Sequence, residues 1–188
     1  MPKIVNQEEV REKIILGAFN TFIEKGYYKT NIEDISKKCQ MTRTTIYYYF
    51  KSKDDIFENT VYYIIDTMEN DLKQISLEFS TSVKDKIKFL NEKWENQFNS
   101  ANLILILTEL WLAIRRDEGE MFVRIKERIK QMSHLINSLA LEKAKYKIED
   151  TKEKLKIDNS FIILSMLQQI PTQSNLVRDN LLSIIAAI

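Results

Sequence analysis

Three glycines and two prolines in 188 residues leave almost no material for tight turns. A sheet protein needs positive-φ residues at close intervals in its hairpins, whereas Gly17, Gly26 and Gly119 stand far apart. The chain is therefore predicted to be mostly helix. With 44% hydrophobic and 29% charged residues, it has enough apolar material for a core and enough charge for a water-soluble surface. The same composition excludes most enzyme classes. One histidine (His134), one cysteine (Cys39) and no clustered glycines leave no zinc cluster, disulfide or phosphate-cradling loop. A di-iron carboxylate bundle needs paired Glu-x-x-His motifs, and Gln131 stands at that spacing before the single histidine. No catalytic residue, metal or cofactor is assigned, and the chain is read as a non-enzyme.

The single cysteine fits a reducing compartment. Lys3, Glu8, Glu9, Arg11, Glu12 and Lys13 rule out an apolar leader near the start. The longest strictly apolar runs, such as Leu103 to Leu107 and Ile184 to Ile188, fall well short of the ~20 residues a membrane span needs. A cytoplasmic chain without a membrane partner is expected. Charge is distributed unevenly beneath a formal net of +1. Residues 1 to 53 carry ten basic and six acidic side chains, net +4, so 54 to 188 hold 18 basic and 21 acidic, net −3. A basic head before a mildly acidic body suits an anionic partner for the head, and equally an ordinary solvated surface.

Apolar residues Val10, Ile14, Ala18 and Phe22 repeat at helical spacing from about Gln7 to Lys25, and Gly26 follows as a stop. Thr30-Asn31-Ile32-Glu33 reads as a capping box opening a short helix at Thr30, with Ile32, Ile35 and Cys39 on its inner face. Thr42 caps a third helix, roughly Arg43 to Phe50. Two short helices joined by a tight turn, behind a longer supporting helix, are the parts of a helix-turn-helix. A long helix is predicted from Ser52 to about Leu77, and others from about Ser82 to Phe98, Ala101 to Arg116 and Glu120 to Lys145. Lys143 to Asp158 is a charge-dense connector of mixed sign. From Asn159 to Ile188 only Arg178 and Asp179 are charged, so two short helices there must be buried. A second copy of the chain would cover them, with Phe161, Leu164, Leu181, Ile184, Ile185 and Ile188 at the interface; completing the monomer core would serve too. The fold class is all-α, about nine helices, with residues 1–52 as the head and 53–188 as the helical body.

The third helix divides its chemistry by face. Ile46, Tyr49 and Phe50 point inward, leaving Arg43, Thr44, Tyr47 and Tyr48 outward: a bidentate donor for a guanine edge, a hydroxyl with a methyl, and two phenols. Thr30, Thr42 and Lys53 add hydroxyls, helix N-terminal amides and a cation suited to phosphate.

Ile14 to Phe22, Gly26-Tyr27, Thr30, Ile32-Glu33-Asp34-Ile35, Thr42, Ile46-Tyr47-Tyr48-Tyr49-Phe50 and Ser52-Lys53 together resemble the tetracycline-repressor (TetR) family, over roughly residues 8 to 60. The resemblance implies a homodimer with N-terminal DNA-binding heads, a helical body that dimerises through its last two helices, and an effector cavity within that body. By position, Thr30, Thr42, Tyr47 and Lys53 match phosphate-binding residues, and Arg43, Thr44, Thr45 and Tyr48 match base-facing ones. Two departures stand out: Gln40 where the family often has a turn glycine, and Thr44 where it often has a small residue. A glutamine at positive φ is strained by about a kcal/mol, so either the turn differs or its packing tolerates the strain.

The body is less informative. Leu107 to Trp111 followed by Arg115-Arg116-Asp117 resembles a segment seen in many family members. Trp94, Phe98, Trp111 and Phe122 are candidates to line a cavity, with Glu109 or His134 as polar anchors, although core packing is the plainer role for each. Cys39 reads as a small buried hydrophobe. The expected function is a ligand-responsive transcriptional repressor on a pseudo-palindromic double-stranded DNA operator, and the alternative is a helical protein-interaction module that keeps the head without specific DNA binding.

Overall fold

The computed structural model describes residues 6–78, 83–116 and 119–144. Seven helices account for nearly all of them: α1 (Gln7–Lys25), α2 (Ile32–Cys39), α3 (Arg43–Tyr49), α4 (Lys53–Glu78), α5 (Val83–Phe98), α6 (Ser100–Arg116) and α7 (Glu120–Ala144). No strand occurs among the described residues. The two helices expected after Asp158, with Phe161, Leu164, Leu181, Ile184, Ile185 and Ile188, lie outside them. Among the described residues no single helix is long and apolar enough to cross a membrane.

The caps follow from side-chain chemistry, with one correction to the sequence reading. Asn31, not Thr30, caps α2: its Oδ1 accepts from the Asp34 amide at 2.9 Å, and the Asp34 carboxylate accepts from the Asn31 amide at 3.1 Å. Thr30-x-x-Glu33 and Asn31-x-x-Asp34 fit the same capping pattern one residue apart, and burial decides between them. Thr30 is 2% exposed, and its hydroxyl donates to the Gly26 carbonyl at 2.8 Å. Ser52 opens α4 by accepting from the Asp55 amide at 3.1 Å.

Turns in a glycine-poor chain must come from elsewhere. Gly26 ends α1 at φ 76°, donating to the Phe22 carbonyl, and Gln40 ends α2 in the left-handed region at φ 56° and ψ 44°. The turn thus keeps its left-handed geometry with a glutamine in place, held by the Gln40 amide on Lys37 O and the Met41 amide on Ser36 O. Asn99, at φ 58°, closes α5 by donating to Glu95 O and opens α6 by accepting the Ala101 amide on its side chain. One asparagine therefore serves as the stop of one helix and the cap of the next.

The core is continuous. Ile14, Ala18 and Phe22 of α1 meet Ile35 and Cys39 of α2, Ile46 of α3 and Phe57 of α4, all buried. A Cβ on Gly17 would lie 2.3 Å from the Cys39 sulfur, so α1 and α2 approach closely only because position 17 has no side chain. Further along, α4 packs on α5 and α7. There the buried Asp71 carboxylate accepts from Trp94 Nε1 at 3.0 Å and pairs with Lys93 at 2.6 Å.

Two substitutions test the turns. Gln40→Gly removes left-handed strain and is expected to raise stability by about 0.5–1 kcal/mol in chemical denaturation. Gly26→Ala introduces a Cβ at positive φ, 2.5 Å from Glu109 Oε1, and is expected to cost about 2 kcal/mol or more in the same experiment.

Candidate nucleic-acid interface

Helix α3 spans seven residues, about 10 Å long at 1.5 Å per residue, and an α-helix of about 10–12 Å diameter fits the roughly 12 Å wide major groove of DNA. Thr42 opens it, its hydroxyl accepting from the Thr45 amide at 3.0 Å and lying 2.9 Å from the Thr45 hydroxyl. Inward, Ile46 and Phe50 are buried and Tyr49 is partly buried against the core. Outward, Arg43, Thr44, Tyr47 and Tyr48 form two adjacent rows at four-residue spacing, with Tyr47 54% and Tyr48 72% exposed. Two large phenols left in solvent, beside an arginine with no carboxylate within ion-pair distance among the described residues, make a face with free hydrogen-bonding capacity.

The neighbouring charges on α2 are engaged. Glu33 pairs with Lys37 at 2.7 Å, and Asp34 with Lys25 at 2.5 Å. The Lys37 ammonium holds the Glu33 carboxyl below its ordinary range, and Lys25, aided by the Asn31 amide, does the same for Asp34. Both carboxylates stay charged, and Arg43 adds a weaker pull on Glu33 than Lys37 does, without pairing with it.

The eight residues matched to DNA contacts fall into two groups. Thr42, Arg43, Thr44, Thr45, Tyr47 and Tyr48 lie together on α3 and its cap. Thr30 and Lys53 are drawn to the turn between α1 and α2: the Thr30 hydroxyl is engaged with Gly26 O, and the half-buried Lys53 ammonium donates to Tyr27 O at 3.0 Å and sits 4.5 Å from the Tyr27 ring centre.

Behind this face α7 is tied to α4. The Arg124 fork donates from Nε and Nη2 to the two oxygens of Glu58, both at 2.7 Å, and the Tyr62 phenol donates to the same carboxylate at 2.8 Å. Arg124 holds the Glu58 carboxyl below its ordinary range. Burial, reinforced by Glu58, pushes the Tyr62 phenol up to about 12. Arg128 bridges Asp66 and Glu69 about two to three turns further along α4. Nothing in the sequence announces these pairs, because 66 residues separate Glu58 from Arg124 and each alone looks like solvated charge.

The five residues considered for a ligand cavity do not converge. Trp94 is bound to Asp71, Phe98 packs edge-on against Phe19 and Tyr63, and the Glu109 carboxylate lies over Gly26. Trp111 is partly buried against the core, and Phe122 meets Tyr27 edge-on with ring centres 5.9 Å apart. Of the five, only Phe122 lines the half-open cleft of about 480 Å³ between the starts of α4 and α7, alongside Tyr27, Asp54, Glu58, Met121 and Arg124. His134 is exposed on α7.

Residues 14–60 match the family model described as bacterial regulatory proteins, tetR family. The chain is 41% identical over 71 residues to the HTH-type transcriptional regulator HbdR of Aromatoleum sp. (strain CIB), covering 38% of this chain and 30% of that protein. It is 32% identical over 83 residues to the biofilm operon icaADBC HTH-type negative transcriptional regulator IcaR of Staphylococcus aureus (strain Newman), covering 44% and 45%. The likeness to the tetR family is thus carried by residues 14–60, which hold α2, α3 and most of α1. These matches span less than half the length of either relative. Beyond the head, the likeness is one of fold: AibR, solved in complex with isovaleryl coenzyme A and operator DNA, superposes with a TM-score of 0.57 at 17% identity, over 88% of each chain.

Two measurements follow. Thr42→Ala removes the cap of the seven-residue α3 and is expected to cost about 1 kcal/mol of stability, largely restored in Thr42→Ser. Because Glu58 binds its proton more weakly folded than unfolded, its ionised form adds stability above its ordinary value near 4.5, and that contribution disappears as pH falls through the lower folded value. Thermal melts from pH 6 down to 3 should therefore show a steeper acid loss in wild type than in Glu58→Gln.

Proposed function

We propose that this chain is a TetR-family DNA-binding transcriptional repressor that holds a pseudo-palindromic operator as a homodimer and is released by a small-molecule effector. The carrying observation is the outward face of α3, where Arg43, Thr44, Tyr47 and Tyr48 are exposed while Ile46 and Phe50 anchor the helix. Residues 1–52 are assigned as the DNA-binding head and 53–188 as the effector-binding and dimerisation body. Arg43, Thr44, Thr45 and Tyr48 read base edges in the major groove; Thr42 and Tyr47 hold phosphates, with Thr30 and Lys53 shaping the adjoining turn. The negative regulation by IcaR supports repression, and the AibR complex supports an effector together with an operator. Phe161, Leu164, Leu181, Ile184, Ile185 and Ile188 are assigned to the dimer interface, which supplies the two-fold symmetry of the operator. The protein is a cytoplasmic non-enzyme that acts by occupying DNA.

Selection of genomic fragments by the purified protein, followed by anisotropy titration, tests this. An inverted repeat should be recovered, and Arg43→Ala should weaken binding by about 10- to 100-fold without lowering the melting temperature. A dimer neutralising ~6 to 10 phosphates should lose about a thousandfold or more between 50 and 200 mM salt. A folded dimer that enriches no sequence would sink the proposal.

A further inference from the structure

Helix α3 has fewer than two turns, too few to be stable alone, and its last carbonyls lack partners within the helix. The one at Tyr49 is met from α1. Arg11 Nη1 donates to Tyr49 O at 2.8 Å, Nη2 reaches Asn59 Oδ1 of α4 at 3.4 Å, and the guanidinium lies 4.5 Å from the centre of the Phe50 ring. Asn59 is itself fixed, donating to the Asp55 backbone carbonyl at 2.8 Å and to Asp55 Oδ1 at 2.9 Å. The other Asp55 oxygen accepts the Lys51 amide at 2.8 Å. One planar fork therefore joins α1, the end of α3 and the start of α4, and it does so without a carboxylate partner among the described residues. Its charge faces the negative end of the α3 dipole.

We infer that Arg11 is a positioning residue for DNA recognition: it sets the angle at which α3 leaves the head and touches no DNA itself. The inference rests on α3 being the DNA-reading helix. A rigid fork with hydrogen bonds to two elements fixes their relative orientation, whereas a flexible ammonium fixes only a distance. The exposed Arg43, Thr44, Tyr47 and Tyr48 inherit that orientation through the α3 backbone. Base readout depends on placing such donors within a fraction of an ångström, while non-specific attraction to phosphate does not.

The test uses the full chain, the best selected fragment and a scrambled duplex of equal length. Arg11→Met keeps a long apolar stem over Phe50 and removes the fork; Arg11→Lys keeps the charge. For Arg11→Met, affinity for the selected fragment should fall by at least about tenfold, affinity for the scrambled duplex should stay within about twofold, and the salt slope should be unchanged. Hydrogen exchange should quicken at the Ile46 to Phe50 amides and not in α7. Arg11→Lys should recover only part of the loss. A salt slope reduced by about one would overturn the inference by showing a phosphate contact, and so would wild-type affinity in Arg11→Met or full rescue by Arg11→Lys. If wild type selects no sequence, the DNA-binding reading itself fails; if wild type binds and Arg11→Met binds equally well, only the positioning role fails.

Discussion

The burial of α4 on two sides is the constraint on which the rest of the molecule depends. Ile56, Phe57, Val61, Ile64, Ile65 and Met68 are all buried along a single 26-residue helix that packs on α1 at one end and on α5 and α7 further along. Head and body thus share a core instead of meeting across a wet interface, and neither end of α4 can tilt without disturbing apolar packing at the other. The polar clamps reinforce this arrangement. Glu58 with Arg124 and Arg128 with Asp66 and Glu69 hold α7 along α4, and Tyr27, hydrogen-bonded to Asp54, tilted against Phe57 and edge-on to Phe122, closes the corner where three elements meet.

Helix α3 is small, and its rigidity is borrowed. Seven residues with a threonine cap hold their shape because Ile46 and Phe50 are sunk in the core, Thr42 satisfies the first turn and Arg11 satisfies the last. Everything stabilising lies on one side of α3, which leaves the other side free for Arg43, Tyr47 and Tyr48. Exposure of those side chains is thus a consequence of how thoroughly the inner face is anchored.

Much of this was legible in the sequence because helical periodicity carries it. The bounds of α1 and of α4 to α7 lie within a residue or two of those read from apolar spacing, and the split of α3 into inner and outer faces follows from the same period. The cap of α2 falls one residue beyond the expected Thr30, at Asn31, because two overlapping capping patterns are available and only tertiary burial of Thr30 distinguishes them. Long-range polar pairs were illegible for a different reason: a charge on a helix surface looks the same in sequence whether water or a distant arginine meets it. Arg11 is the clearest case, since it sits outside the helix-turn-helix motif and finds its partners 38 and 48 residues away.

Gly17 and Cys39 carry a further consequence for how such a sequence can drift. With the sulfur of one occupying the space where a side chain of the other would begin, the two positions share a single fixed volume. A methyl gained at 17 requires atoms lost at 39, so single changes are penalised while paired ones are tolerated. Burial also pushes the Cys39 thiol up, which keeps it protonated and slow to react. The chain's one cysteine is thus a spacer matched to a glycine, and a relative lacking it would be expected to differ at position 17 as well.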